Sequence, residues 1–248
     1  MHWAPPGAAV ALADGEVHVW CAALDRWGPD WVAFRSSLSP DERERADRFH
    51  FERDRRRFTC ARAILRRLLG RYLNVDPREV EFCYGAHGKP ALSGPFPGAL
   101  TFNVSHSGEV AMFAIARGIE LGVDVELVRD MPDAEQIATR FFSPREVARL
   151  LSLPEGTRND AFFSCWTRKE AYLKALGSGL ARPLDEFDVT FAPGEAPRLT
   201  VPSDEREGSR WTVHDLAPAD GYRAALVTGG AAAPRCWMWI DRTFKELV

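Results

Sequence analysis

Leu121-Gly122-Val123-Asp124-Val125-Glu126-Leu127 is a seven-residue strand pattern with two unlike faces. In an extended strand, residues i and i+2 share a face. Leu121, Val123, Val125 and Leu127 thus form an apolar face that can pack, and Asp124 and Glu126 form an acidic one. Two carboxylates side by side repel unless a proton or cation stands between them. Hard oxygen donors suit Mg2+, which keeps waters and shares substrate phosphates. A solvated strand face with two ordinary acids is the other reading of the same residues.

Upstream, 100–104 and 110–116 read as two more strands, joined by Ser105-His106-Ser107-Gly108 as a tight turn. With 121–127 they look like an antiparallel meander, and Gly118 is the natural seam. Residues 80–83 suggest a short strand, and the Gly- and Pro-rich stretch 85–97 a loop. Residues 8–20 alternate and suggest an early strand. Ser39-Pro40-Asp41-Glu42 is a helix start, with a capping box and proline in the first turn. Apolar residues at Phe58, Ala61, Leu65, Leu68, Leu69 and Tyr72 follow helical spacing. They predict one long helix, or two broken near His50, ending before Asn74.

Downstream, Ser143-Pro144-Arg145-Glu146 repeats that helix start. Asn159 or Asp160 is expected to cap a further helix, which Gly177 ends. Residues 187–191, 198–201, 211–215 and 222–227 read as strands. Each side of Gly118 thus carries helices and strands, and an internal duplication fits. The expected halves are 1–118 and 119–248. On the predicted helix, Glu170 and Lys174 lie four apart and share a face. They are either a surface ion pair or a third carboxylate with a phosphate-neutralising lysine.

Composition bounds the rest. The chain has 248 residues, 46% hydrophobic and 27% charged, enough for a real core. With 32 basic and 35 acidic residues it has a net charge of -3, so no global basic field points to nucleic acid. The first residues show no secretory pattern and no apolar run is long enough to span a membrane, so the expected location is the cytoplasm. The five cysteines form no metal or disulfide pattern. Gly88-Lys89-Pro90 lies in a glycine-rich loop that is not a P-loop. Residues 43–71 hold eleven arginines, mostly a solvated helix face, of which one or two could clamp a phosphate.

Together, Gly88-Lys89-Pro90, Phe102-Asn103-Val104-Ser105-His106-Ser107, Gly122-Val123-Asp124-Val125-Glu126, Phe141-Phe142-Ser143 and Trp166-Thr167-Arg168-Lys169-Glu170-Ala171 resemble the 4'-phosphopantetheinyl transferases, in particular the larger, surfactin-synthetase-activating type. The resemblance runs from about Leu38 to Leu180, and the order of the motifs carries it. It implies an α+β pseudo-dimer of two similar α/β halves, each with a mainly antiparallel sheet packed against helices, and an active site between them. It implies coenzyme A as donor, an apo acyl or peptidyl carrier protein as acceptor, and a monomer. Asp124, Glu126 and Glu170 match the family's Mg2+ ligands, and Lys174 its pyrophosphate-side lysine. Arg57 and His106 match 3'-phosphate contacts, and Lys89, Pro90 and Ser105 other coenzyme contacts. Arg45 stands where a lysine is common. Glu42 stands at a neighbouring position expected to be basic, where it would repel phosphate.

The implied chemistry is attack of a carrier serine on the β-phosphate of coenzyme A. Asp124, Glu170 and Lys174 would be catalytic, and Glu146 an auxiliary acid or base or simply a cap. An inactive coenzyme binder of the same fold and another Mg2+-dependent phosphoryl enzyme are the alternatives. Carrier docking is expected at 131–142 and 162–172, and the segment after Leu180 is expected to be structural.

Overall fold

The computed structural model describes Trp3 and residues 11–238. The first half contains β1 (Glu16–Ala23), a short α1 (Trp31–Phe34), α2 (Pro40–Asp47), α3 (Glu52–Leu73), β2 (Phe82–Tyr84), β3 (Pro90–Leu92), β4 (Thr101–Ser107) and β5 (Val110–Ala116). Then follow β6 (Leu121–Leu127), α4 (Ala134–Phe141), α5 (Pro144–Leu151), α6 (Glu155–Leu176), β7 (Asp188–Val189), β8 (Leu199–Thr200), α7 (Glu205–Arg210), β9 (Trp211–Leu216), β10 (Tyr222–Gly229) and β11 (Ala233–Met238).

The helix punctuation works as its chemistry requires. Ser39 and Ser143 each open a capping box closed by Glu42 and Glu146. Each short capped helix precedes a helix of 22 residues, α3 or α6, that ends on a left-handed residue, Asn74 at φ 57° and Gly177 at φ 70°. The internal duplication is therefore visible helix by helix. The helix predicted from Asn159 or Asp160 starts earlier, at Glu155. Neither residue caps it: Asn159 donates to the Arg129 carbonyl, and Asp160 pairs with Arg223.

The sheets depart from the expected meander. β4 and β5 pair antiparallel, but the chain then leaves the sheet. One sheet has the order β11-β1-β5-β4 and a second β6-β10-β9, beside the two-stranded pairs β2-β3 and β7-β8. The second is antiparallel throughout, whereas β11 runs parallel to β1. Residues 233–238 thus return to the sheet built otherwise from residues before Gly118. Residues 105–107 are strand rather than turn, and the turn is Gly108-Glu109. The loop 85–97 contains β3, which pairs with β2. Of the early strand predicted at 8–20, positions 8–10 lie outside the described residues, and the strand itself starts at Glu16. Of the predicted strands at 187–191 and 198–201, only the short β7 and β8 form.

Among the described residues, three apolar cores result. One lies between α3 and the first sheet, with Trp20, Ile64, Leu68, Phe102 and Phe113. A second lies around α6, with Phe162, Tyr172, Phe187 and Val227. The third joins the sheets face to face, with Val17, Val19, Met112 and Ala114 against Leu121, Val123, Val125 and Leu226. The apolar face of β6 fills this middle layer, so its acidic face turns toward α6.

Candidate active site

The site forms where β4, β6 and α6 meet. β4 and β6 run parallel, and no backbone ladder joins them. Side chains of β4 serve instead. Val123 N donates to Asn103 Oδ1 at 2.9 Å, Val125 N to Ser105 Oγ at 3.4 Å and Leu127 N to Ser107 Oγ at 3.1 Å. This row of alternate polar side chains replaces a ladder and meets the buried backbone's need for partners.

On the other side, α6 crosses β6 at Gly122. A Cβ there would overlap the carbonyl oxygen of Ala171 and the amide nitrogen of Ala175. This close approach brings Glu170 and Lys174 over the acidic face. Lys174 Nζ donates to Asp124 Oδ1 at 2.6 Å and to Ser105 Oγ at 2.9 Å. Ser105 Oγ donates to the same Asp124 oxygen at 2.8 Å, and Ser107 Oγ donates to Glu126 Oε2 at 2.7 Å. Asp124 is 4% exposed, and its Oδ2 is buried without a hydrogen-bond partner.

The electrostatics follow from that crowding. Burial raises the pKa of Glu126 and of Glu170, and the Asp124 charge raises both further. Glu126 and Glu170 are thus carboxylates whose ionised forms lack sufficient positive charge. Among the described residues, no group of three His, Cys, Asp or Glu side chains is close enough to hold an ion ready-made. Lys174 supplies the local positive charge, and the unpartnered Asp124 Oδ2 is a hard donor suited to a divalent cation.

A basic wall stands beside the carboxylates. His106 is exposed on β4, yet the surrounding protein withdraws enough water to lower its pKa, helped by the charges of Lys174, Arg57 and Arg45. Lys174, Arg57 and Arg45, all expected at coenzyme phosphates, therefore lie within electrostatic reach of His106. Arg57 is held by Asp25, with Nη2 donating to Oδ2 at 2.5 Å, and Arg56 donates to the same carboxylate. Arg45 is exposed and lies over the Phe58 ring.

Lys89 is placed differently from its neighbours in the motif. Its ammonium donates to the carbonyls of Leu121, Lys174 and Ala175, at 3.1, 2.6 and 3.0 Å. It braces the β2–β3 hairpin against the end of α6 and the start of β6, with all three donors used. Pro90, half-buried, opens β3 beside it.

Glu42 does not face an anion. It is 2% exposed and accepts from Arg62 Nε at 2.5 Å and Arg66 Nε at 2.6 Å, so the expected repulsion of phosphate does not arise. Glu146 repeats this arrangement. It is 3% exposed, accepts from Val189 N at 2.7 Å and pairs with Lys169 at 2.7 Å. In each half, the capping glutamate of the short helix thus pairs with basic residues of the long one. Phe162, Phe163 and Tyr172, in the second segment expected to dock a carrier, are buried core residues.

A family model described as the 4'-phosphopantetheinyl transferase superfamily matches residues 120–227, and another, 4'-phosphopantetheinyl transferase, N-terminal, matches 25–117. The 4'-phosphopantetheinyl transferase HetI of Nostoc sp. is 40% identical over 238 residues, which cover 95% of this chain and 97% of that protein. The chain belongs to the 4'-phosphopantetheinyl transferase family. The transferase Sfp of Bacillus subtilis is 34% identical over 78% of this chain and 83% of its own length. The human L-aminoadipate-semialdehyde dehydrogenase-phosphopantetheinyl transferase is 29% identical over 70% of this chain and 60% of its own length.

Four residues of the transferase were given no role by their residue type. Asn103 and Ser107 join β4 to β6, and the period-two polar pattern Asn103-x-Ser105-x-Ser107 signals this once 101–107 is known to be strand. Asp25 holds Arg57, and Tyr222 accepts from Glu109 N at 3.2 Å next to them. Tyr222 lies in the segment expected to be only structural. Nothing local in the sequence marks either residue: Asp25 meets Arg57 from a distant part of the same half, and Tyr222 reaches Glu109 across the seam.

Proposed function

We propose that the chain transfers the 4'-phosphopantetheine group of coenzyme A to a serine hydroxyl of an apo acyl or peptidyl carrier protein, releasing the holo carrier and 3',5'-ADP. The observation that carries this reading is the convergence of Asp124, Glu126, Glu170 and Lys174, with a buried Asp124 oxygen that has no partner. The halves 1–118 and 119–248 would then share one site, with Arg45, Arg57, Lys89, Pro90, Ser105 and His106 on the coenzyme side.

Asp124, Glu126 and Glu170 would hold Mg2+, and the ion supplies charge compensation at the pyrophosphate. Lys174 neutralises the same region, and Arg45, Arg57 and His106 receive the more distant phosphate. Glu170 takes the proton of the carrier serine. General-base work of this kind is worth about 10²–10⁴-fold in rate. The serine oxygen bonds to the β-phosphorus, and the bond from that phosphorus to the bridging oxygen breaks. The electron pair leaves with 3',5'-ADP. Lys89 acts as a brace between the coenzyme loop and α6. A monomer in the cytoplasm completes the proposal, and no helix among the described residues is long and apolar enough to cross a membrane.

Incubation with coenzyme A, Mg2+ and several apo carriers tests it. A carrier mass increase equal to phosphopantetheine is expected. Coenzyme binding with no mass gain on any carrier would overturn it.

A further inference from the structure

We propose that Ser107 is a positioning residue for the cation-binding carboxylate of Glu126, in the way that Ser105 is for Asp124. The proposal rests on the reading of Asp124, Glu126 and Glu170 as the Mg2+ ligands.

A hydroxyl has one proton to donate and two lone pairs. Ser107 Oγ accepts from Leu127 N at 3.1 Å, and its proton goes to Glu126 Oε2 at 2.7 Å. The backbone of β6 thereby sets the hydroxyl, and the hydroxyl sets the carboxylate. Ser105 repeats the pattern two residues earlier, between Val125 N and Asp124 Oδ1. Asn103 starts the row with Val123 N and touches neither carboxylate. In both strand acids one oxygen is thus held by a β4 serine. The other is left for a ligand: Asp124 Oδ2 is buried without a partner, and Glu126 Oε1 makes no hydrogen bond among the described residues.

A flexible carboxylate beside two others would otherwise turn away from them. The bond from Ser107 Oγ to Glu126 Oε2 holds the carboxylate against such a turn. Outer partners that orient metal ligands typically account for about 10–100-fold in metal affinity.

The test is Mn2+ affinity, read by electron paramagnetic resonance on the full chain with coenzyme A and no carrier. It compares the unaltered chain with Ser107→Ala and Ser107→Thr, and thermal unfolding of each is measured in parallel. Ser107→Ala is expected to bind Mn2+ about 10-fold or more weakly. Ser107→Thr keeps the hydroxyl and is expected to stay close to the unaltered chain. Coenzyme affinity in a chelator should be equal in all three. Equal Mn2+ affinity in Ser107→Ala, or a loss of coenzyme binding that is the same with and without Mn2+, would overturn the proposal. No Mn2+ binding by the unaltered chain would overturn the carboxylate site itself, and the proposal with it.

Discussion

Lys174 Nζ lies 2.6 Å from Asp124 Oδ1, joining α6 to β6 inside the acidic cluster. Removing the lysine leaves three crowded carboxylates without their internal cation. Lys174→Ala should lower kcat/KM for carrier loading by about 10²–10³-fold, the scale of losing one charge-stabilising donor. Lys174 is half-buried, so the folded state should persist. Carrier mass shift and circular dichroism together check this, and near-unaltered kcat/KM would contradict the role given to Lys174.

The Glu146–Lys169 pair gives the opposite profile. Both side chains are buried, and Lys169 also donates to the carbonyls of Leu184 and Phe187. Lys169→Met strands a buried carboxylate, which costs about 3–5 kcal/mol. For a chain of this size the unfolding midpoint should fall by about 6–20 °C. Glu146→Gln should leave kcat of the folded fraction unchanged, because its carboxylate is already used by the cap, Val189 and Lys169. A selective loss of kcat would restore an acid–base role for it.

Gly122→Ala tests the close approach of helix and strand. The new methyl would meet backbone atoms of Ala171, Lys174 and Ala175, which cannot rotate away. Overpacking of this kind costs up to about 3 kcal/mol or more. The unfolding midpoint should drop by about 6–12 °C, and transfer should fall with it, since β6 and α6 carry the acids and Lys174. An unchanged midpoint measured by calorimetry would mean that the two elements separate freely.

His106 carries a pH signature. Its folded pKa is lowered from the ordinary 6.5 by desolvation and by the charges of Lys174, Arg57 and Arg45. Between 6.5 and that lower value the unfolded chain binds more protons, so stability rises with pH in this window. Acidification through it costs stability, and the full cost is reached below the folded pKa. His106→Gln should flatten that part of the pH–midpoint curve, and coenzyme A should also flatten it by stabilising the protonated ring. An identical curve for the variant would remove His106 from the basic wall.

Much of this site was legible residue by residue. Asp124 and Glu126 share a face because strands alternate, and Glu170 and Lys174 share one because helices repeat near four. The paired capping boxes announced the duplication. Ser105-His106-Ser107 misled as a turn, because short polar residues around a glycine favour turns in isolation. They form strand because the β4 backbone pairs with β5 as far as Ser107, and their serine hydroxyls find partners on β6 from 20 residues away. Glu42 misled for a related reason: its charge is visible in the sequence, but Arg62 and Arg66 are brought to it by α3.

Local periodicity and capping chemistry, which need only near neighbours, determined α2, α3, α5 and α6, most strands and the identities of the acids. The partition of β4, β5 and β6 between two sheets was decided by tertiary structure, as was the return of β11 to β1. The same holds for the direction of each charged side chain. Lys89 faces three carbonyls, Arg57 faces Asp25, and Glu42 faces inward. Each of these depends on a partner distant in sequence, and the energy of a buried charge is set by what surrounds it in space.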